Sequence, residues 1–156
     1  MILKGSCHCG AVKFEVDSPH PSPYNLCYCS VCRKTAGGGG YAINLGAKYE
    51  TLKVEEKEHI GIYHAIIDGE SSPAERHFCK RCASALWVYD PRWPELVHPF
   101  ASAIDTELPM PPERTHLMLN SKASWVVVEP NDQDKYFPEY PNESIAQWHE
   151  SLGLVR

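Results

Sequence analysis

The sequence predicts a mainly β fold, an antiparallel sandwich or open barrel with one or two short helices. Most apolar residues fall in short runs that are rich in β-branched and aromatic side chains, and glycine, proline, aspartate and asparagine separate these runs. Only two segments carry helical signals. Eight or so short strands against two helices favour a mainly antiparallel architecture.

Strand candidates occur along most of the chain. In AVKFEV, the side chains of Val12, Phe14 and Val16 face one way and their neighbours the other, which is the pattern of a half-buried strand. PHPSP must be a loop because proline fixes φ and cannot donate a hydrogen bond, and extended structure resumes in NLCYC. The further strand candidates are GGYAINL, YETLKVEE, HIGIYHAII, AERHFC, SALWVYD, ELVHPFASAI, THLMLN and ASWVVVE.

Two short helices are predicted. The first begins in CSVCRKTAG. The second lies in SIAQWHESLG, where Ile145, Trp148 and Leu152 are at helical spacing, with Ser144 as the N-cap and Gly153 as the stop. The segment before it, EPNDQDKYFPEYPNES, is polar and rich in proline and is expected to be a surface loop.

Length and charge restrict the class of protein. A chain of 156 residues is long enough for one domain with a sizeable core, so residues 1–156 are expected to form a single domain. Its formal charge of −5, with no Lys or Arg run longer than two, argues against nucleic acid as a partner. No apolar run approaches the ~20 residues that cross a bilayer, and MILKGSCHCG lacks a secretory apolar stretch, so we expect a cytoplasmic protein without a membrane partner.

In that reducing compartment, clustered cysteines indicate metal ligands or reactive thiols before disulfides. The seven cysteines form three groups: Cys7 and Cys9, then Cys27, Cys29 and Cys32, and finally Cys79 and Cys82. In extended backbone, C-x-C presents two sulfurs to one side, whereas C-x-x-C closes a tight turn around a metal. A structural zinc site is closed by four ligands. Cys7, Cys9, Cys79 and Cys82 therefore predict a structural zinc that joins distant parts of the sheet.

The triplet Cys27, Cys29 and Cys32 remains without a fourth cysteine. A zinc with three protein ligands keeps one position for water or substrate, which is typical of a catalytic site. Three thiolates place more negative charge on the metal than three imidazoles do, so such a zinc is better suited to bind a soft thiol than to generate hydroxide. The sequence thus predicts two zinc ions per chain, one structural and one catalytic.

Three alternatives remain open at this point. The pairs at positions 7, 9, 79 and 82 could be unrelated buried or redox-active cysteines. The triplet could be a second structural zinc site closed by a histidine, with His8, His64, His77 and His98 as candidates. A redox-active C-x-x-C at Cys29 and Cys32 is the third, although no thioredoxin-like βαβ pattern surrounds it.

Four motifs resemble one known family in order and spacing. GSCHCGAVKFEV, CYCSVCRKTAG, HFCKRCASALW and THLMLNSKASWV are similar to the glutathione-dependent formaldehyde-activating enzyme family, also called the GFA or centromere protein V family. The resemblance implies the β-tent fold and two zincs, with the partition of cysteines reached above. It also implies the joining of formaldehyde to glutathione to form S-(hydroxymethyl)glutathione, classed as a carbon-sulfur lyase activity for the reverse direction.

The sequence departs from the family pattern at the cysteine motifs. Tyr28 stands where the family often has histidine, and Ala83 and Ser84 stand where glycine and threonine usually follow the second structural pair. Tyr28 alternates away from its flanking cysteines, so we expect it to contact the ligands or to lie in the core, and not to be a ligand itself. Ala83 places a Cβ where the family often turns through glycine.

Other charged or polar side chains are candidates near the two sites. Arg33 and Lys34 directly follow the triplet and could attract the carboxylates of a peptide-like thiol, or form a solvated basic pair. His77, two residues before Cys79, is predicted to face the same side and could hydrogen-bond its sulfur, or be a partly exposed strand histidine.

The predicted function is therefore that of a zinc-dependent carbon-sulfur lyase or synthase, acting on a small thiol adduct such as S-(hydroxymethyl)glutathione. A non-enzymatic, zinc-stabilised protein-binding module is one alternative, and a biosynthetic enzyme acting on another electrophile is a second. An exposed apolar patch with a closed second metal site would favour the module, and a pocket with an open coordination position would favour catalysis.

Overall fold

The strands of the chain form three principal sheets and one small hairpin. The structure is a computed structural model and describes residues 1–141 and 144–151. The strands are β1 (Ile2–Ser6), β2 (Lys13–Asp17), β3 (Tyr24–Cys27), β4 (Ala42–Asn44), β5 (Ala47–Lys48), β6 (Lys53–Glu55), β7 (Ile60–Tyr63), β8 (Ile66–Ile67), β9 (Glu70–Ser71), β10 (Glu75–Cys79), β11 (Ala85–Tyr89), β12 (Leu96–Pro99), β13 (Arg114–Leu117) and β14 (Lys135–Tyr136). The helices are α1 (Ser30–Ala36) and α2 (Ile145–Ser151), so the prediction of a mainly β fold is confirmed.

Each sheet draws on distant parts of the chain. The first has the strand order β1-β2-β6, the second β5-β12-β11-β10-β7 and the third β14-β13-β3-β4, while β8 and β9 form a separate hairpin. Pairing is antiparallel except at β13, which runs parallel to both β3 and β14. Within the described residues the sheets remain open and close no barrel.

Buried side chains from all three principal sheets form the main core. Leu3 of β1 and Leu86 of β11 are fully buried, and the ring of Phe14 packs edge-on against Trp87 with centroids 5.0 Å apart. Each large apolar side chain buried in this way contributes about 1.5–3 kcal/mol. A smaller apolar cluster surrounds the cysteine triplet and is described with the site.

β1 is missing from the predicted strands, although it pairs with β2 along its whole length. Its fourth residue is Gly5, which weakens the strand signal because glycine has low strand propensity. Glycine is needed there, since a Cβ at this position would overlap the ring of Phe14.

The prediction of a strand in ASWVVVE is wrong, because residues 123–129 form turns and irregular structure. The amide of Val126 donates to the carbonyl of Ala123 at 3.1 Å, so the backbone turns back on itself. Val126 is buried, whereas the flanking Trp125 and Val127 are exposed. β-branched composition therefore does not produce a strand where no neighbouring strand pairs with it.

Two predicted strands are each divided. In YETLKVEE, Tyr49–Thr51 form a 3-10 turn and only Lys53–Glu55 form a strand. In HIGIYHAII, β7 ends at Tyr63 and β8 begins at Ile66. Local hydrogen bonds, such as the one from the amide of Leu52 to the carbonyl of residue 49 at 3.0 Å, compete with pairing at these points.

Both predicted helices are present. In α2, Ser144 Oγ accepts from the amide of Gln147 at 3.1 Å, and Gln147 Oε1 accepts in return from the amide of Ser144 at 2.7 Å, which is a capping box. Leu152 and Gly153, the predicted last residue and stop of this helix, lie outside the described residues. No helix within residues 1–141 and 144–151 is long and apolar enough to span a bilayer.

The polar segment before α2 is predicted to be a surface loop, but part of it forms a strand. It contains β14, which pairs with β13, and the amide of Phe137 donates to the carbonyl of His116 at 2.8 Å. Further along, the amide of Met118 donates to the carbonyl of Glu139 at 2.8 Å. The segment therefore continues the third sheet beyond β13, because its backbone groups find partners there.

Candidate functional site

The fold brings the seven cysteines together as two separate sulfur groups, with no disulfide between them. The sulfurs of Cys7, Cys9, Cys79 and Cys82 all lie within 4.8 Å of one another, and so do those of Cys27, Cys29 and Cys32. We call these the four-sulfur group and the triplet. Either group could hold a metal ion, and both have the membership that the spacing predicts.

The first half of the four-sulfur group lies in the turn between β1 and β2. The predicted extended backbone is not found here, because the amide of Gly10 donates to the carbonyl of Cys7 at 3.1 Å and closes a tight turn. Gly10 has φ of 79°, a left-handed conformation that glycine adopts without steric cost. The turn still brings the sulfurs together, with Cys9 Sγ 3.6 Å from Cys7 Sγ and 3.8 Å from Cys79 Sγ.

The second half follows β10 and closes a turn of its own. The amide of Ala83 donates to the carbonyl of Cys79 at 2.8 Å, and Ala83 has φ of 65°. This is the position where the family that the sequence resembles often has glycine. The alanine adopts the same left-handed turn, at a cost of about 1–2 kcal/mol relative to a right-handed conformation. With alanine at this position, Cys79 and Cys82 still lie together in the four-sulfur group.

The surroundings of the four-sulfur group lower the pKa of Cys7 and Cys82 and raise that of Cys9 to about 11. Backbone amides donate to the sulfurs of Cys7 and Cys79 at 3.2 and 3.3 Å, and both of these side chains are buried. The hydrogen bond from the hydroxyl of Ser84 lowers the pKa of Cys82 to about 5. Four thiolates enclosed by backbone donors are the donor set of a structural zinc.

The triplet is assembled at the junction of β3 and α1. Cys27 is the last residue of β3, which is paired on both sides by β13 and β4. Cys29 is the N-cap of α1 in extended conformation, and its sulfur accepts from the amide of Cys32 at 3.3 Å. Here the predicted extended C-x-C followed by a helix is observed. The sheet and the helix start together hold the three sulfurs in one place.

The triplet is buried on all sides but one. Cys27 and Cys32 are 5% and 3% exposed and pack against Phe100 and Leu117, whereas Cys29 is half-buried. A small ligand would therefore reach the sulfurs from the side of Cys29.

Neighbouring sulfurs shift the pKa values within the triplet in opposite directions. Hydrogen bonds from Cys27 and Cys32 lower the pKa of Cys29, while the hydrogen bond to Cys29 and burial raise the pKa of Cys27 far above its usual range. The Cys29 thiol is therefore the most readily ionised of the three, and a positive charge beside the sulfurs would favour ionisation of the others. Three soft sulfur donors fit zinc for that purpose.

The sequence leaves open that a histidine closes the triplet. Within residues 1–141 and 144–151, no histidine or carboxylate has a ligand atom in this group. Of the candidates, His64 and His98 bond to backbone carbonyls at 2.9 and 3.1 Å, and His77 bonds to Glu75 at 3.1 Å. His8 is likewise not a member. The described part of the chain therefore supplies three ligand atoms to the triplet.

Of the two alternatives for His77, the structure shows the partly exposed strand histidine and not the hydrogen bond to the sulfur of Cys79. Its Nε2 bonds to Glu75, its Nδ1 is buried without a hydrogen-bond partner, and its ring stacks on Trp87 at 4.9 Å. A β-bulge between His77 and Phe78 shifts the register, so simple alternation does not extend to Cys79.

Arg76 reaches the triplet but is not among the predicted site residues. Its Nη2 lies 3.4 Å from Cys32 Sγ and its Nη1 lies 3.3 Å from Thr35 Oγ1. Of the two basic residues predicted from sequence, Arg33 donates to the carbonyl of Ser121 at 3.3 Å and Lys34 is exposed. No spacing signal connects Arg76 with the triplet, because 44 residues separate it from Cys32.

Tyr28 lies in the core, as predicted, and belongs to a buried hydrogen-bond chain. Its hydroxyl is 2.9 Å from His116 Nδ1, and His116 Nε2 is 2.9 Å from Asp134 Oδ2. The side chains of His116 and Asp134 are only 8% and 7% exposed. These hydrogen bonds connect Tyr28, which lies between two triplet cysteines, to β13 and to the segment that contains β14.

Removing Asp134, the last member of this hydrogen-bond chain, is expected to destabilise the protein. Asp134→Ala should lower the free energy of unfolding by about 2–3 kcal/mol, because it leaves a buried imidazole N–H and the backbone amide of Arg114 without their acceptors. Tyr28→Phe should cost about 1 kcal/mol. Denaturant unfolding measures both, with the exposed Asp132→Ala as the matched control. Equal stability of the Asp134 and Asp132 variants would contradict the assigned role of the chain.

Known proteins similar to this chain match it across the region that contains the cysteines. A family model described as "Glutathione-dependent formaldehyde-activating enzyme" matches residues 2–120, a range that contains all seven cysteines. A curated protein of Halomonas elongata, named "Putative glutathione-dependent formaldehyde-activating enzyme", is 69% identical over 154 residues, which cover 99% of this chain and 98% of that protein.

A solved structure has a similar fold. The crystal structure of a Rhodobacter sphaeroides protein superposes with a TM-score of 0.53 at 27% sequence identity, over 68% of this chain and 91% of that one. The architecture described above therefore occurs in a protein of distant sequence.

Proposed function

The chain belongs to the glutathione-dependent formaldehyde-activating enzyme family, and from this premise we propose that it makes or breaks a carbon-sulfur bond in a small thiol adduct such as S-(hydroxymethyl)glutathione. One observation carries the proposal. The triplet gathers three sulfurs within 4.8 Å, and no histidine or carboxylate of the described residues joins them. A metal ion held there would retain a position for a substrate.

We propose zinc as the metal at both groups. Cys7, Cys9, Cys79 and Cys82 would hold the structural ion, and Cys27, Cys29 and Cys32 would hold the catalytic one. When bound at the triplet, zinc would lower the pKa of a substrate thiol and orient its sulfur. The protein would contribute a rigid junction of strand and helix, and Phe100 and Leu117 would exclude water from the buried side.

The proposed reaction is an addition without a redox change. The sulfur of glutathione attacks the carbonyl carbon of formaldehyde, the thiol proton leaves to solvent, and the carbonyl oxygen takes a proton to become a hydroxyl. The reverse reaction breaks the same carbon-sulfur bond and returns the aldehyde. Holding the two reactants together in the right orientation is the main contribution expected of the site.

We also propose that residues 1–156 act as one domain, with a small glutathione-like thiol as partner and neither nucleic acid nor a membrane. The backbone hydrogen bonds between β13 and the segment containing β14 support the proposal of a single domain. They attach this later segment to the sheet that carries Cys27. Seven free cysteines suit a reducing compartment such as the cytoplasm.

Cobalt substitution tests the proposed open position. Glutathione added to the protein with cobalt in place of zinc is expected to shift the thiolate-to-metal absorption, because a new sulfur enters the coordination shell. Exchange measurements by NMR should show faster interconversion of formaldehyde, glutathione and their adduct with the zinc protein. Oxidised glutathione, which has no thiol, is the matched ligand control. An unchanged spectrum together with an unchanged exchange rate would refute the proposal.

A protein-binding module is a second candidate, and one observation favours it. Ile62, Tyr63, Ile66 and Ile67 are exposed on β7, at the edge of the second sheet, and on β8 beyond it. The triplet argues against this candidate, since a module needs no unfilled position. Retention of both zincs with no response to glutathione would favour it. An enzyme acting on another electrophile would respond to thiol but would not accelerate the exchange of formaldehyde.

A further inference from the structure

We propose that Arg76 makes the triplet selective for ligands that bind as thiolate anions, and that it is therefore a positioning and specificity-determining residue of this site. The inference rests on the proposed function and adds the charge of the preferred ligand. Three features carry it: the fixed placement of the guanidinium, its lack of a carboxylate partner, and the charge of the triplet.

Arg76 is fixed both at its backbone and at the tip of its side chain. The backbone of Arg76 lies between β7 and β11, where it pairs with Tyr63 on one side and Val88 on the other. Its tip is positioned by Thr35 Oγ1 at 3.3 Å and by Cys32 Sγ at 3.4 Å. The hydroxyl of Thr35 donates to the carbonyl of Val31 at 2.6 Å, so its lone pairs are available to the guanidinium.

No carboxylate competes for this charge. Arg76 forms no ion pair with a carboxylate in the described part of the chain. Its neighbour Glu75 pairs with His77 on the opposite face of β10, at 3.1 Å. A half-buried guanidinium without a carboxylate is costly unless another anion faces it, and here that anion is the sulfur of Cys32.

The net charge of a zinc ion with its thiolate ligands explains how the guanidinium could select ligands. Three thiolates and a divalent zinc carry a net charge of −1. A thiolate ligand would make this charge −2, in a cluster lined by Phe100 and Leu117. The nearby guanidinium offsets one of these charges. A neutral ligand adds no charge, so its affinity is nearly independent of Arg76. Arg76 therefore discriminates between an anionic thiolate and a neutral ligand.

The test compares two small ligands on the cobalt-substituted protein. Titrations with 2-mercaptoethanol and with imidazole are followed by the metal absorption bands of the wild type, Arg76→Gln and Arg76→Lys. In Arg76→Gln the affinity for the thiol should fall about tenfold, while that for imidazole changes less than about twofold. Arg76→Lys should recover part of the thiol affinity, because it keeps the charge but cannot reach both partners.

Arg33→Gln is the matched control, since Arg33 also adjoins the triplet but donates to the carbonyl of Ser121. It should bind both ligands as the wild type does. If Arg76→Gln binds the thiol like the wild type, or loses thiol and imidazole affinity equally, the inference is overturned while the proposed function stands. If the wild-type protein binds no thiol, the proposed function fails, and the inference fails with it.

Discussion

Cys7→Ser is expected to unfold the protein at ordinary temperature and to release one zinc. In small zinc domains, metal binding supplies about 10–16 kcal/mol of folding free energy. A single domain is stable by only about 5–15 kcal/mol. Serine preserves the size of the side chain and an acceptor for the amide that donates to Cys7 Sγ at 3.2 Å. The expected loss is therefore due to the missing thiolate and not to a lost hydrogen bond.

The measurements are zinc content after gel filtration and cooperative unfolding by near-UV circular dichroism. His8→Ala is the matched control, because His8 is exposed, lies next to Cys7 and is not a member of the four-sulfur group. It should retain two zincs and the wild-type transition. If Cys7→Ser keeps both zincs and unfolds at the wild-type midpoint, the four sulfurs do not form a structural metal site.

Such a site would make the stability of the first sheet and that of β10 depend on each other. The four-sulfur group joins the turn after β1 to the turn after β10, about 70 positions later, without a continuous strand ladder between them. Chelation of this zinc should thus expose both turns at once. Cross-linking by metal is effective here because it closes a long loop.

Strand prediction from this sequence succeeds where alternation coincides with a pairing partner. Lys13–Asp17 alternates and is paired on both sides, by β1 and β6. Residues 123–129 have the same kind of composition but turn at Val126 instead. Strand propensity reports how well a side chain fits a neighbouring strand, so composition alone could not distinguish these two segments.

The candidate site is predictable to the extent that it is local. Cysteine spacing identifies both sulfur groups, because each pair or triplet closes within one turn and ligand counting joins the two pairs. The contact of Arg76 with Cys32 depends on how β10 packs beside α1, and the bond of Tyr28 to His116 depends on the parallel pairing of β3 with β13. Neither contact leaves a spacing pattern in the sequence.

Cys29→Ser is expected to abolish activity while the fold is retained, and so to separate the two sulfur groups. Cys29 is the N-cap of α1, and its sulfur accepts from the amide of Cys32 at 3.3 Å. Serine is among the best N-cap residues, so the helix start should lose no more than about 1 kcal/mol. As a neutral hydroxyl, however, serine is a poor ligand for zinc, and the triplet is left with two thiolates.

The variant should contain one zinc instead of two, keep the wild-type near-UV spectrum and show only the uncatalysed exchange between formaldehyde and glutathione. Ser30→Ala, at the exposed next position, should keep two zincs and full activity. Because the cap is preserved, a loss of activity cannot be ascribed to an unwound helix and must come from the triplet itself. A Cys29→Ser protein that retains catalysis with a single zinc would place the reaction elsewhere and leave the triplet with a structural role.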